Sequence, residues 1–165
     1  MTESKYQKWQ SKGMRIALFE PDIPQNAAAV IRLGACLDMP IDIIEPCGFL
    51  FSDSGFRRAG LDYVERAEII RHDSWQAFRA QLSGRLILLT TKAEAAYTKF
   101  AFAGSDTLLF GRESAGVPDF VHAVADQRLR IPLKAGLRSL NVAQAAAMVV
   151  GEALRQIEGF ADGSG

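Results

Sequence analysis

Cysteine and histidine are scarce: Cys36, Cys47, His72 and His122 are the whole supply in 165 residues. They form no CxxC or HExxH spacing, so a disulfide scaffold and a zinc centre are both excluded. A surplus of one charge is lacking too. Nineteen basic residues balance nineteen acidic ones, so no overall field draws the chain to nucleic acid or to a membrane, and any RNA contact has to come from a local patch. No apolar run approaches the roughly 20 residues of a membrane span, and the polar start TESKYQKWQSKG lacks the apolar middle of a signal peptide. Together these absences point to a reduced, metal-free protein of the cytoplasm.

What is present is an ordinary globular composition, 48% apolar and 23% charged, at a length that fits one domain with a real core. Apolar runs of strand length recur at 14–19, 41–44, 67–70, 85–91, 106–111 and 128–133. Between them, helical patterns are expected at 26–37, 74–82, 118–124 and from 141 onward. Uniformly apolar strands alternating with helices predict an α/β domain with a mostly parallel sheet flanked by helices. The domain is expected over 14–158, with a loose arm at 1–13 and a flexible tail at 159–165.

In such sheets, ligands bind beyond the carboxyl ends of the strands. Three loops stand there: EPDIPQN (20–26), GRESAGVP (111–118) and KAGLRSLN (134–141). Glycine in the second lets backbone approach a ligand closely. Neither GxGxxG nor GxxxxGK[ST] occurs, which argues against a dinucleotide or a nucleoside triphosphate. A glycine-rich loop after the first strand is missing as well, so the binding loops lie late in the chain.

Four ordered segments, EPDIPQNAAAVIRL (20–33), LLTTK (88–92), LLFGRESAGVP (108–118) and LRIPLKAGLRSLNVAQAAAMVVGEA (129–153), resemble the SPOUT methyltransferases, in the branch that methylates RNA ribose 2′-hydroxyls. RRAGLDY (57–63) and IIEPCGF (43–49) are similar to the small single-domain members that modify the wobble nucleotide, a cytidine or modified uridine, of certain leucine tRNAs. The resemblance implies a C-terminal deep trefoil knot, an exception to the rule that chains do not thread their own loops. It also implies S-adenosylmethionine as methyl donor, no metal, and a homodimer holding the tRNA anticodon stem-loop between subunits.

Carried over by position, the resemblance places the donor against Leu89, Thr90, Gly111, Glu113, Ile131, Leu133, Ser139 and Leu140. Adenine needs apolar walls and backbone hydrogen bonds, and these residues supply both. Arg32, which follows the first-loop Asn26, matches the arginine linked to activation of the ribose hydroxyl. An arginine stays protonated, so its economical role is to hold a phosphate and the 2′-oxygen in line with the methyl group. Ser139 and Asn141 then orient the hydroxyl or the donor, and Glu113 holds either Arg32 or the donor's ammonium group. Asn26, Arg57, Arg58 and Arg138 are the expected substrate contacts, with Arg71 and Lys92 as weaker companions. The run Ala27 to Ala29 departs from the polar pattern of small members and weakens a polar role in that turn. Arg112 and Ala115 are given no catalytic duty.

Plainer readings stand beside these. Asn141 followed by Gln144 has capping-box spacing, so RSLN also reads as a helix start. GRESAGVP also reads as a tight strand-to-helix turn, and Arg32 as a solvated residue on an amphipathic helix. His72 and His122 read as surface or half-buried residues, and the two cysteines as small core residues. Alternatives to the wobble assignment are another tRNA or rRNA position, or a non-catalytic RNA-binding module of the same fold.

Overall fold

The computed structural model describes residues 13–51, 58, 63 and 66–162. Most of the expected N-terminal arm, Arg57 with most of its RRAGLDY segment, and residues 163–165 lie outside the described residues.

Six strands form one sheet: β1 (Arg15–Phe19), β2 (Ile41–Ile44), β3 (Ile69–His72), β4 (Leu86–Leu89), β5 (Thr107–Phe110) and β6 (Gln127–Leu129). Their order is β3-β2-β1-β5-β4-β6, and every pairing is parallel. The alternation of side chains builds two cores. Ile16 and Leu18 of β1 join Leu108 and Phe110 of β5 on one face, while Ala17 and Phe19 join Leu109 on the other.

The first face is covered by α1 (Pro24–Cys36) and α4 (Val142–Ile157). Pro24 starts α1 where a missing N–H costs nothing. Ala27 and Ala28 are wholly buried, so the alanine run serves close packing. In α4 the buried residues are Ala146, Val149, Val150, Ala153 and Leu154, the stripe that a 3.6-residue period dictates. The opposite face carries α2 (Trp75–Gln81) and α3 (Asp119–Val124). Ser74 caps α2, its hydroxyl accepting from the Ala77 N–H at 3.1 Å.

Four local expectations need correction. The third strand runs two residues later than its apolar signal, because its polar end is satisfied by neighbours. His72 Nε2 lies 2.7 Å from Asp42 Oδ1, and Arg71 pairs with Glu45 while its guanidinium lies 4.3 Å from the Phe51 ring centre. His72 is therefore fully buried, neither at the surface nor half-buried. The last strand ends at Leu129, leaving Arg130 only a lone bridge to Ala96 before Pro132, which has no N–H to donate. Of the two cysteines, Cys36 is exposed rather than in the core, whereas Cys47 is half-buried and packs against the first core.

Candidate active site

The loops beyond the carboxyl ends of β4, β5 and β6, together with the start of α1, surround a cavity of about 480 Å³. Leu89 and Thr90 line it after β4, Gly111 and Glu113 after β5, and Ile131, Leu133, Ser139 and Leu140 after β6. Asn26 and Asn141 complete the wall on the helix side. The fold thus gathers all the expected donor-pocket positions at one place, from segments far apart in sequence. Arg32, Arg58 and Arg138 do not line it.

The loop after β5 is held as a tight hairpin. The Arg112 N–H donates to the Gly116 carbonyl at 3.1 Å, and the Gly116 N–H donates back to the Arg112 carbonyl at 2.9 Å. Gly116 takes a φ of +64°, and a Cβ on Gly111 would come 2.7 Å from the Gly116 Cα. Both glycines are therefore required by the turn itself.

Two charged residues of the first loop clasp two of this hairpin. Glu20 forms an ion pair with Arg112. The Asp22 N–H donates to Glu113 Oε2 at 3.1 Å, and the Glu113 N–H donates to Asp22 Oδ1 at 3.2 Å. Glu20 adopts a φ of 42°, a left-handed conformation that costs a non-glycine residue about 1–3 kcal/mol; the ion pair helps to hold it there. Arg112, given no chemistry from the sequence, is the brace of this loop.

The Asp22 and Glu113 carboxyls interact directly. Burial pushes the Glu113 carboxyl up, and its hydrogen bond with Asp22 raises it further. The same contact with Glu113 holds Asp22 below the usual carboxylate range. As pH falls, Glu113 is therefore the first of the two to take up a proton. Glu113 Oε1 is buried and receives no hydrogen bond from another group among the described residues. A buried oxygen in that condition is costly unless a donor reaches it.

Asn141 performs two tasks. Its Oδ1 caps α4, accepting from the Ala143 N–H at 2.8 Å and the Gln144 N–H at 3.4 Å. Its Nδ2 donates to Asn26 Oδ1 at 2.8 Å, tying the last loop to the first helix at the cavity wall. Ser139 is exposed at the rim, and the cap falls to Asn141 rather than to it.

Arg32 is exposed on α1, six residues and about 9 Å along the axis from Asn26. Its guanidinium lies 4.6 Å from the Tyr63 ring centre. Arg58 and Arg138 are exposed, and Arg57 is outside the described residues. Sequence reasoning missed Tyr63 and the clasp from Glu20 and Asp22. The opposite charges in EPD and GRE were visible, but no local rule pairs residues more than ninety positions apart.

Other reactive groups are poorly suited to chemistry here. Burial pushes the Cys47 thiol up to about 11, far from the thiolate a nucleophile needs. Burial, helped by Lys92 and Arg128, pushes His122 down. Among the described residues no group of three or more His, Cys, Asp or Glu is placed to hold a metal, and no helix is long and apolar enough to cross a membrane.

Residues 13–151 match the SpoU rRNA Methylase family. A protein of Beijerinckia indica named tRNA (cytidine(34)-2′-O)-methyltransferase is 56% identical over 149 residues, covering 88% of this chain and 93% of its own. One of the same name from Ancylobacter novellus is 54% identical over 151 residues, covering 90% and 96%. A solved structure described as "Structural insights into the 2-OH methylation of C/U34 on tRNA" superposes with a TM-score of 0.85 at 40% identity, covering 88% of this chain and 97% of that one. With its parallel sheet and loop-built cavity, the chain belongs to the SpoU rRNA Methylase family.

Proposed function

We propose that the protein transfers a methyl group from S-adenosylmethionine to the ribose 2′-hydroxyl of the wobble nucleotide, cytidine or modified uridine, in leucine tRNAs. The observation that carries this reading is the convergence of the three late loops on one cavity, in a chain whose similar proteins are named for cytidine(34) 2′-O-methylation.

The cavity suits this donor. Leu89, Ile131, Leu133 and Leu140 offer apolar walls for an adenosine. The buried Glu113 Oε1 lacks a donor, and an ammonium group supplies one with opposite charge. Since Arg32 does not reach the cavity of its own chain, Glu113 is assigned to the donor rather than to Arg32. When bound, S-adenosylmethionine supplies a methyl group on a positively charged sulfur.

The chain's own residues then do the positioning. Ser139, on the rim, and Asn141, fixed by its tie to Asn26, orient the ribose hydroxyl at the cavity mouth. Arg32 fixes a phosphate and the 2′-oxygen through its planar N–H fork, so that the oxygen meets the methyl group in line. Arg57, Arg58 and Arg138 hold RNA phosphates, which position the strand without reading its sequence. A homodimer with the anticodon between subunits brings Arg32 of one protomer to the cavity of the other. Small exposed residues on the two helices, Ala29 on α1 and Ala147 on α4, support close approach of a second copy. The trefoil path is part of the same proposal, since it brings the loop at 131–141 beside the hairpin at 111–116.

Calorimetry with S-adenosylhomocysteine tests the donor site, and mass mapping of methylated nucleosides in tRNA from cells lacking the protein tests the target. The reading predicts micromolar or tighter binding and loss of one 2′-O-methylated wobble nucleoside. Absence of binding, or an unchanged nucleoside profile, contradicts it.

A further inference from the structure

We propose that Tyr63 is a positioning residue for Arg32, holding its guanidinium by the face so that its N–H edge stays open to RNA; this rests on the methyl-transfer reading given above. Five arginines among the described residues are held by carboxylates. Arg15 is paired with Asp42, Arg71 with Glu45, Arg85 with Asp106, Arg112 with Glu20 and Arg155 with Glu152. Three of these also lie over aromatic rings: Arg71 over Phe51, Arg85 over Phe100 and Arg112 over Phe19. In each of those three a carboxylate already takes part of the guanidinium's hydrogen-bonding capacity and cancels its charge.

Arg32 is held differently. Its guanidinium lies over the Tyr63 ring at 4.6 Å, and no ion pair joins it to a carboxylate among the described residues. A guanidinium has five N–H donors in the plane of its fork. A carboxylate partner occupies that edge, whereas an aromatic partner lies against the flat face and leaves the edge available. Stacking therefore fixes a long, exposed side chain while sparing the groups that a phosphate and a ribose oxygen need. The half-buried Tyr63 comes from the chain between β2 and β3, and Arg32 from α1. The contact thus couples the placement of that segment to the aim of the arginine.

The test compares Tyr63→Leu, Tyr63→Phe, Arg32→Ala and the Arg32→Ala/Tyr63→Leu double variant, with labelled methyl transfer to a leucine tRNA anticodon stem-loop as readout. Tyr63→Leu is expected to lower kcat about fivefold, the rate equivalent of one exposed cation–π contact, with unchanged S-adenosylhomocysteine affinity. Tyr63→Phe, which keeps the ring face, restores most of that loss. In the Arg32→Ala background Tyr63→Leu changes nothing further, because a residue acting through Arg32 has nothing left to act on. Full transfer by Tyr63→Leu, a Tyr63→Phe variant as slow as Tyr63→Leu, or additive losses in the double variant overturns the proposal. A wild-type protein that transfers no methyl group to any anticodon stem-loop overturns the functional reading itself, a result distinct from any of these.

Discussion

On the β1, β2 and β3 side of the sheet, Asp42 is 3% exposed and fully engaged. Arg15 reaches it through two nitrogens at 2.7 and 2.9 Å, and His72 Nε2 lies 2.7 Å away. On the β5, β4 and β6 side, Glu113 is half-buried with one oxygen bonded to the Asp22 N–H and the other buried without a donor. Both carboxyls have been taken out of water by the same fold. The first is saturated by groups from the two neighbouring strands and binds the sheet together. The second is left short at the wall of a cavity, and such a deficit is what a ligand can fill. A buried polar group that is satisfied belongs to the architecture, and an unsatisfied one at a cavity wall is a candidate for ligand contact.

Breaking the saturated side has the largest effect. Asp42→Ala leaves the half-buried Arg15 and the buried His72 without their partner and is expected to cost about 3–5 kcal/mol, read from urea unfolding, while S-adenosylhomocysteine affinity of the folded fraction holds. Next comes the residue that is stacked rather than paired: Arg32→Ala should slow methyl transfer at least about a hundredfold, the scale of lost alignment, with donor affinity intact by calorimetry. A main effect on donor affinity would show that Arg32 is misplaced in this account.

On the unsaturated side, Glu113→Gln is expected to weaken S-adenosylhomocysteine binding about tenfold, the worth of one hydrogen bond to a charged group, with little change in unfolding free energy. The smallest effect is a pH dependence with opposite signs in two measurements. Because the Glu113 carboxyl is raised above its ordinary value of 4.5, the folded protein keeps a proton that the unfolded chain has released in the range just above that value. Unfolding free energy therefore falls as pH rises through this range. Donor affinity should rise over the same range as the carboxylate forms for the ammonium group. Glu113→Gln removes both slopes. Asp22, held below 3.8, gives the reverse stability slope at more acid pH.

The sheet was legible because apolar strands buried on both faces announce themselves. Ile41 to Ile44 and Leu86 to Leu89 fall where the runs do. The cap at Asn141 was equally readable, its spacing to Gln144 being a local matter. What escaped depends on distant partners. His72 read as surface or half-buried because nothing nearby in sequence shows that Asp42 meets it across the sheet. The late strand was read too long because Arg130 and Ile131 continue its apolar and basic pattern after the ladder has ended. The lining of the cavity was readable through family resemblance, since the spacing of Leu89, Gly111 and Ile131 carries no local sign of convergence. The clasp between 20–22 and 112–113, and the stacking of Arg32 on Tyr63, are tertiary facts with no signal of their own.

The central claim is that the acceptor is the ribose hydroxyl of the wobble nucleotide. It is tested most directly by labelled methyl transfer to two leucine tRNA anticodon stem-loops that differ only in a 2′-deoxy sugar at that nucleotide. The account predicts incorporation into the ribose form and none into the deoxy form; equal labelling of the two would contradict it.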